Sequence, residues 1–294
     1  MQIIGTALAL AAPAPISLIG IRQGAYKAFL AVVFAATIIF LPFGNVGSAS
    51  FVLGAGFLGI AFGIAVKKTN SSGEAILVLT IAALASKLVF MWFMIYTQEY
   101  NPFALDENSL NALMNSLNTS GAGDDILTAL AQQISLLTPS FLIMGASLDV
   151  FMNYFIISKV EDRRQKLISA SPSSTDNELK VFALPPFEQW TFPRSLLTAF
   201  ITAFLITLFD NSGSSRILLS AELNLKILTS LMFFIQGAGF IWWGVLYKNF
   251  SYGIRLSIFL VILLFIPIFF MGIIIIGIVD IAVDLRGKIR RSNK

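Results

Sequence analysis

Polar positions are sparse along this chain, which reads as a series of apolar runs joined by short polar links. The runs are Ile3–Ile21, Ala25–Leu41, Ser50–Val66, Glu74–Tyr96, Ile134–Ser158, Ser195–Phe209, Leu223–Leu246 and Leu256–Val283. Each reaches or approaches the roughly 20 residues that a helix needs to cross a bilayer core. The alternating in–out pattern of a membrane β-barrel is absent. The pattern therefore predicts an all-α fold, a polytopic transmembrane helical bundle of about eight hydrophobic segments.

Individual runs carry local signals. Pro13 and Pro15 interrupt the first, predicting a broken or kinked helix, because each removes a backbone donor. Pro139 predicts a bend at the start of the fifth. The third is rich in glycine, and Ala55, Gly59 and Gly63 share one helix face at a spacing of four. Small residues at that spacing let another helix approach closely, or line a substrate path. The last run holds Pro267 and would be about 42 Å long as one helix, well over the roughly 30 Å core.

Two links stand out. Residues 97–133 contain five carboxylates and no Lys or Arg. Within them Leu110, Leu113, Met114 and Leu117 recur at helical spacing, predicting a short amphipathic helix on the outer surface or folded over the bundle. The second link begins with the charged KVEDRRQK, passes a flexible SASPSS, and ends in VFALPPFEQWTFPR. That last piece predicts an extended interfacial segment with Phe187, Trp190 and Phe192 at headgroup level.

Composition sharpens the class. The chain is 56% hydrophobic and 12% charged, against about 25% charged for soluble domains. A net charge of +4 reflects loop bias rather than nucleic-acid binding. By the Lys/Arg bias, Arg22/Lys27, Lys67/Lys68, residues 159–166 and Lys248/Arg255 lie inside, and residues 44–50 and 97–133 outside. Seven crossings satisfy this. An eighth would put Lys288, Arg290 and Arg291 outside. Either the last run is a hairpin broken at Pro267, or the sixth run does not cross, or the tail is external; the reading favours a cytoplasmic tail.

With no Cys and no His, disulfides, thiol nucleophiles, Ser–His chemistry and the usual zinc or haem ligation are excluded. No catalytic motif, metal site or cofactor site is predicted. What remains are ionisable groups inside apolar runs, where a charge costs at least about 2.5–3.5 kcal/mol. Lys87 and Asp149 are predicted to form a buried pair extended by Asn153, either a structural clamp or a ligand-binding polar centre. Gln236, deep in the seventh run, is read either as a hydrogen-bonding partner of a neighbouring helix or as part of that polar centre. Trp242 and Trp243 read as interface anchors. Asp280, Asp284 and Arg286 form a helix-end charge cluster with a candidate partner-docking role.

The stretches LPPFEQWTFPRSLL, FFIQGAGFIWW and GIIIIGIVDIAVDLRGKIR, with the early APAPISLIGIRQG, resemble the YybS-like family of predicted bacterial membrane proteins. The resemblance spans most of the chain and is strongest in the last third. It implies kinship with the S-components of energy-coupling-factor vitamin importers: a helical bundle of the bacterial inner membrane with an outward-opening ligand site. S-components also dock through alanines four apart on an early helix, a spacing that Ala7 and Ala11 share. The expected organisation is N-terminal transmembrane helices (1–158) with the external loop 97–133, a cytoplasmic loop (159–194), and C-terminal transmembrane helices with a basic tail (195–294). The expected function is binding or transport of a small molecule, not catalysis. The alternative is a membrane scaffold or regulator that docks a cytoplasmic or transporter protein. The bilayer is the expected partner in either case.

Overall fold

A computed structural model describes residues 11–44, 46–98, 123–168, 184–209 and 216–292. The amphipathic stripe at 110–117 and Ala7 of the Ala7/Ala11 pair lie outside the described residues. Those described form ten α-helices and one 3-10 turn, without a strand. The chain divides into two units. One is Met1–Ala131 with Phe141–Leu184, and the other is Gln132–Ser140 with Pro185–Lys294.

In the first unit, helix α1 spans Pro13–Gln23, α2 Ala25–Phe43, α3 Val46–Lys68 and α4 Ser72–Gln98. The prolines of α1 start the helix directly after a turn at Ala12. Both sit in its first turn, where N–H groups have no intrahelical partner to lose. Gly24 closes α1 at φ 95°, a conformation that a side chain would strain. α3 packs against α1, α2 and α4, and its glycines explain how. A Cβ on Gly63 would sit 2.6 Å from the Gly20 carbonyl carbon of α1, and one on Gly59 2.7 Å from Ile16. Gly56 meets Val32 of α2 as tightly. Ala55 is half-buried. Phe62, Leu79, Val150, Tyr154 and Ile157 form the fully buried core of this unit.

Helix α5, Gly123–Ile168, has 46 residues and a length of about 69 Å. It runs without interruption past Ser158, where the apolar pattern ends. Charged residues of the KVEDRRQK stretch are good helix formers, and Glu161 is held by Arg22 at 2.8 Å and Arg164 at 2.6 Å.

The second unit contains the turn Phe187–Gln189 and helices α6 (Ser195–Phe209), α7 (Arg216–Tyr247), α8 (Tyr252–Leu264), α9 (Ile266–Val283) and α10 (Leu285–Ser292). The last apolar run is thus two helices, which meet at 106°. Pro267 lies in the first turn of α9, where a proline is tolerated. α7 and α9 approach closely at two glycines. A Cβ on Gly237 would collide with the Ile273 carbonyl, and one on Gly277 with the Phe233 carbonyl. Trp243, predicted as an interface anchor, is buried instead between Phe240 and Tyr247. Trp242 packs edge-on against Phe259.

Among the described residues, three helical stretches are long and apolar enough to cross a membrane: Ser72–Phe93, Leu136–Arg164 and Ile217–Tyr247. The bent α8–α9 pair would make a fourth if counted as one span, and Ala25–Leu41 and Ser195–Leu208 are shorter apolar helices. Phe34, Leu41, Trp92, Leu208, Tyr252 and Phe269 are among many large apolar side chains left exposed, as expected of helices whose outer face meets lipid rather than water.

Candidate functional site

Lys87 and Asp149 come together in the first unit. Lys87 Nζ of α4 lies 2.7 Å from Asp149 Oδ2 of α5. Ala83 and Ala146, each one turn before one of the two charged residues, are buried in the same core cluster. The sequence predicts a buried pair, and the structure corrects this. The Lys87 side chain is 34% exposed and that of Asp149 21%, so the charges sit at an edge of the helix pair. Asn153 is fully buried one turn on, and its Nδ2 donates to the Asp149 backbone carbonyl at 2.7 Å. It therefore braces the carboxylate's helix through the backbone.

A pair of this kind has defined chemistry. It is neutral overall, yet it offers one cation and one anion at a shared opening. A ligand carboxylate can take Lys87 from Asp149, a ligand ammonium can take Asp149 from Lys87, and a zwitterion can engage both. On a neighbouring face of α4, a cavity of about 320 Å³ is lined by Leu53, Phe57, Ser86, Phe90, Trp92 and Phe93. Ser86 is already engaged, donating to the Gly54 carbonyl at 3.0 Å.

Gln236, Asp280 and Arg286 meet in the second unit, away from Lys87 in the sequence and in a separate network. Gln236 Nε2 donates to Asp280 Oδ2 at 2.6 Å, and its Oε1 accepts the Phe192 N–H at 3.0 Å. Arg286 Nε lies 3.1 Å from Asp280 Oδ2, with both side chains less than a tenth exposed. Arg286 also donates to the carbonyls of Glu188 at 2.6 Å and Trp190 at 3.1 Å. Asp280 and Arg286 are thus turned inward, and only Asp284 of that cluster stays exposed. Asp284 holds a left-handed conformation, φ 52°, that ends α9, and its Oδ1 accepts the Gly287 N–H at 3.1 Å. The 187–192 segment is consequently bonded to the bundle through its backbone.

A third polar group was not legible beforehand. Asn224 of α7 lies against the Pro139 turn of α5. Its Oδ1 accepts the Ser140 N–H at 2.7 Å and its Nδ2 donates to the Leu136 carbonyl at 2.7 Å. Ser220 Oγ donates to that carbonyl too, at 3.0 Å. Two residues before Asn224, Glu222 accepts from Lys226 and, at 2.6 Å, from Thr207 of α6. The Glu-x-x-x-Lys spacing inside an otherwise apolar run was the available signal, masked by its position where the seventh run begins. Among the described residues no group of three or more carboxylates converges as a metal site.

The family described as "Predicted membrane protein (DUF2232)" matches residues 2–281 of this chain. The chain is 25% identical over 307 aligned positions to a Bacillus subtilis (strain 168) protein named "Uncharacterized protein YybS", covering 99% of this chain and 92% of that one. No solved structure matches it significantly.

Proposed function

We propose that this chain, which belongs to the DUF2232 family of predicted membrane proteins, is a multi-pass protein of the bacterial cytoplasmic membrane that binds or transports a small molecule. In this reading its eight apolar segments form a bundle of the energy-coupling-factor S-component type, with a site that opens outward. It acts by binding, not by catalysis. The observation that carries the reading is the Lys87–Asp149 pair, a matched cation and anion on two apolar helices, open along one edge. Charge at membrane depth is costly and typically marks a ligand or ion site. A fully buried clamp would serve structure alone, whereas this pair keeps both partners within reach of an incoming group. A polar, charged or zwitterionic ligand fits it best, with any aromatic portion accommodated by the Phe90, Trp92 and Phe93 face.

The test is a thermal-shift screen in detergent with vitamins, cofactors and amino acids, run on wild type, Lys87→Met and Lys87→Met/Asp149→Asn. A ligand should raise the wild-type Tm by several degrees and lose that effect in both variants. A flat response from well-folded wild type across the library would refute the binding role and leave the protein as a scaffold.

A further inference from the structure

The C-terminal unit fixes which of its chain ends lie together. α6 and α7 are antiparallel: Thr207, near the end of α6, bonds Glu222 near the start of α7 at 2.6 Å. Further along, the Phe200 and Phe233 rings meet at 5.2 Å, and Phe192, just ahead of α6, donates to Gln236 at 3.0 Å. The 187–192 segment and the later half of α7 therefore share one end of the pair. The turn Lys248–Ser251, from which α8 departs, follows α7 at that end.

α9 finishes there as well. Phe270 stacks on Phe234, Gly277 abuts Phe233, Ile273 abuts Gly237, and Asp280 bonds Gln236. All these contacts fall on the same short stretch of α7, so α9 crosses that helix rather than running its length. Just beyond α9, Arg286 bonds the carbonyls of Glu188 and Trp190. α8 thus leaves from the end to which α9 returns, and the two helices meet at 106°.

We infer that α8 and α9 form a re-entrant hairpin, and that its two feet bring Arg194, Lys248, Lys288 and Arg291 to one membrane face as a basic surface for anionic phospholipid headgroups. A segment that enters and leaves at one end has not crossed, which removes the conflict between an eighth crossing and a basic tail. The four cations are exposed. Two carboxylates share the face, the exposed Asp284 and the half-buried Glu188, so it remains net positive. Arg255 is turned inward, onto the Phe250 carbonyl at 2.7 Å. α10 follows α9 after the single residue Asp284, so its Lys288 and Arg291 cannot stray far from the bilayer. Near an anionic surface each such cation contributes about 1 kcal/mol of attraction. This inference stands independently of any ligand at Lys87.

Two measurements test it. The chain has no native cysteine, so Gln189→Cys, Ser251→Cys and Ser292→Cys can each be labelled singly by an impermeant maleimide in right-side-out and inside-out vesicles. All three should react from the same face; labelling of Ser251→Cys and Ser292→Cys from opposite faces overturns the hairpin. Purified full-length chain in neutral detergent should gain several degrees in Tm from phosphatidylglycerol and little from phosphatidylcholine. Lys288→Gln/Arg291→Gln should lose at least half of that gain. An equal response to the two lipids, or an unchanged response in the variant, overturns the basic surface.

Discussion

Glycine is where single residues decide packing in this chain. At Gly277 a methyl group would meet the Phe233 carbonyl, a backbone atom that cannot rotate away, whereas at Gly145 nothing lies within 4 Å. Gly277→Ala should therefore destabilise by about 1–3 kcal/mol through overpacking. Gly145→Ala should stabilise by about 0.5–1 kcal/mol, because alanine restricts the unfolded chain and favours helix. Thermal unfolding in one detergent compares the two, and similar signs would discredit the close α7–α9 approach. Charge decides the other residue-scale outcome. Lys87→Met leaves Asp149 without its cation, so it should cost more than Lys87→Met combined with Asp149→Asn. The double-mutant cycle should return a coupling of about 0.5–3 kcal/mol, and single and double variants of equal stability would contradict the ion pair. Lys87 and Asp149 were legible in the sequence because each stands alone in an apolar run. Their partial exposure was not, since it depends on how the two helices rotate against each other.

Among elements, the Pro139 turn of α5 gives the sharpest expectation. Pro139 has no N–H, and its ring crowds the carbonyl four residues earlier. Asn224 answers this by bonding Ser140 N–H and the Leu136 carbonyl at 2.7 Å each. Asn224→Leu should cost about 1–3 kcal/mol by stranding those backbone groups. In a Pro139→Ala background, where α5 can close its own ladder, the same change should cost measurably less. A four-variant Tm comparison checks this, and an undiminished cost would mean that Asn224 acts elsewhere. The sequence predicts a bend at Pro139 and a break at Pro267; α5 stays helical through Pro139, while the last run does break two residues before Pro267. The side-chain patch at Pro139 could not be expected, because Asn224 lies 84 residues from Ser140. Nor did the apolar pattern mark the end of α5, since a helix continues in water wherever its residues favour one.

For the whole molecule, the pattern of apolar runs made the helical class and the membrane setting plain, since 56% hydrophobic residues leave few alternatives. The order of packing was hidden, because in lipid it depends on small residues and buried polar groups rather than on hydrophobic periodicity. The Gln236–Asp280–Arg286 network is the main instance. Arg286→Leu would leave Asp280 as an uncompensated buried carboxylate, at a cost of about 3–5 kcal/mol. Asp280→Leu added to it should recover part of the loss. Hydrogen exchange should show faster exchange at 187–192 in Arg286→Leu, with little change around Phe62 and Tyr154. Protection at 187–192 that survives the loss of Arg286 would show that the segment is held by other means.

The same network also bears on how the protein is made. Arg286 reaches the Glu188 carbonyl across 98 positions of chain. At a synthesis rate of about 5–20 residues per second, the Pro-Pro-Phe segment waits roughly 5–20 s after leaving the ribosome before its partner emerges. The helices up to α9 are thus made while Gln236 can hold that segment at Phe192 but before Arg286 can hold it at Glu188 and Trp190. Closure of this joint waits for Arg286, so a ribosome that stops short of it releases a chain with that joint unfastened.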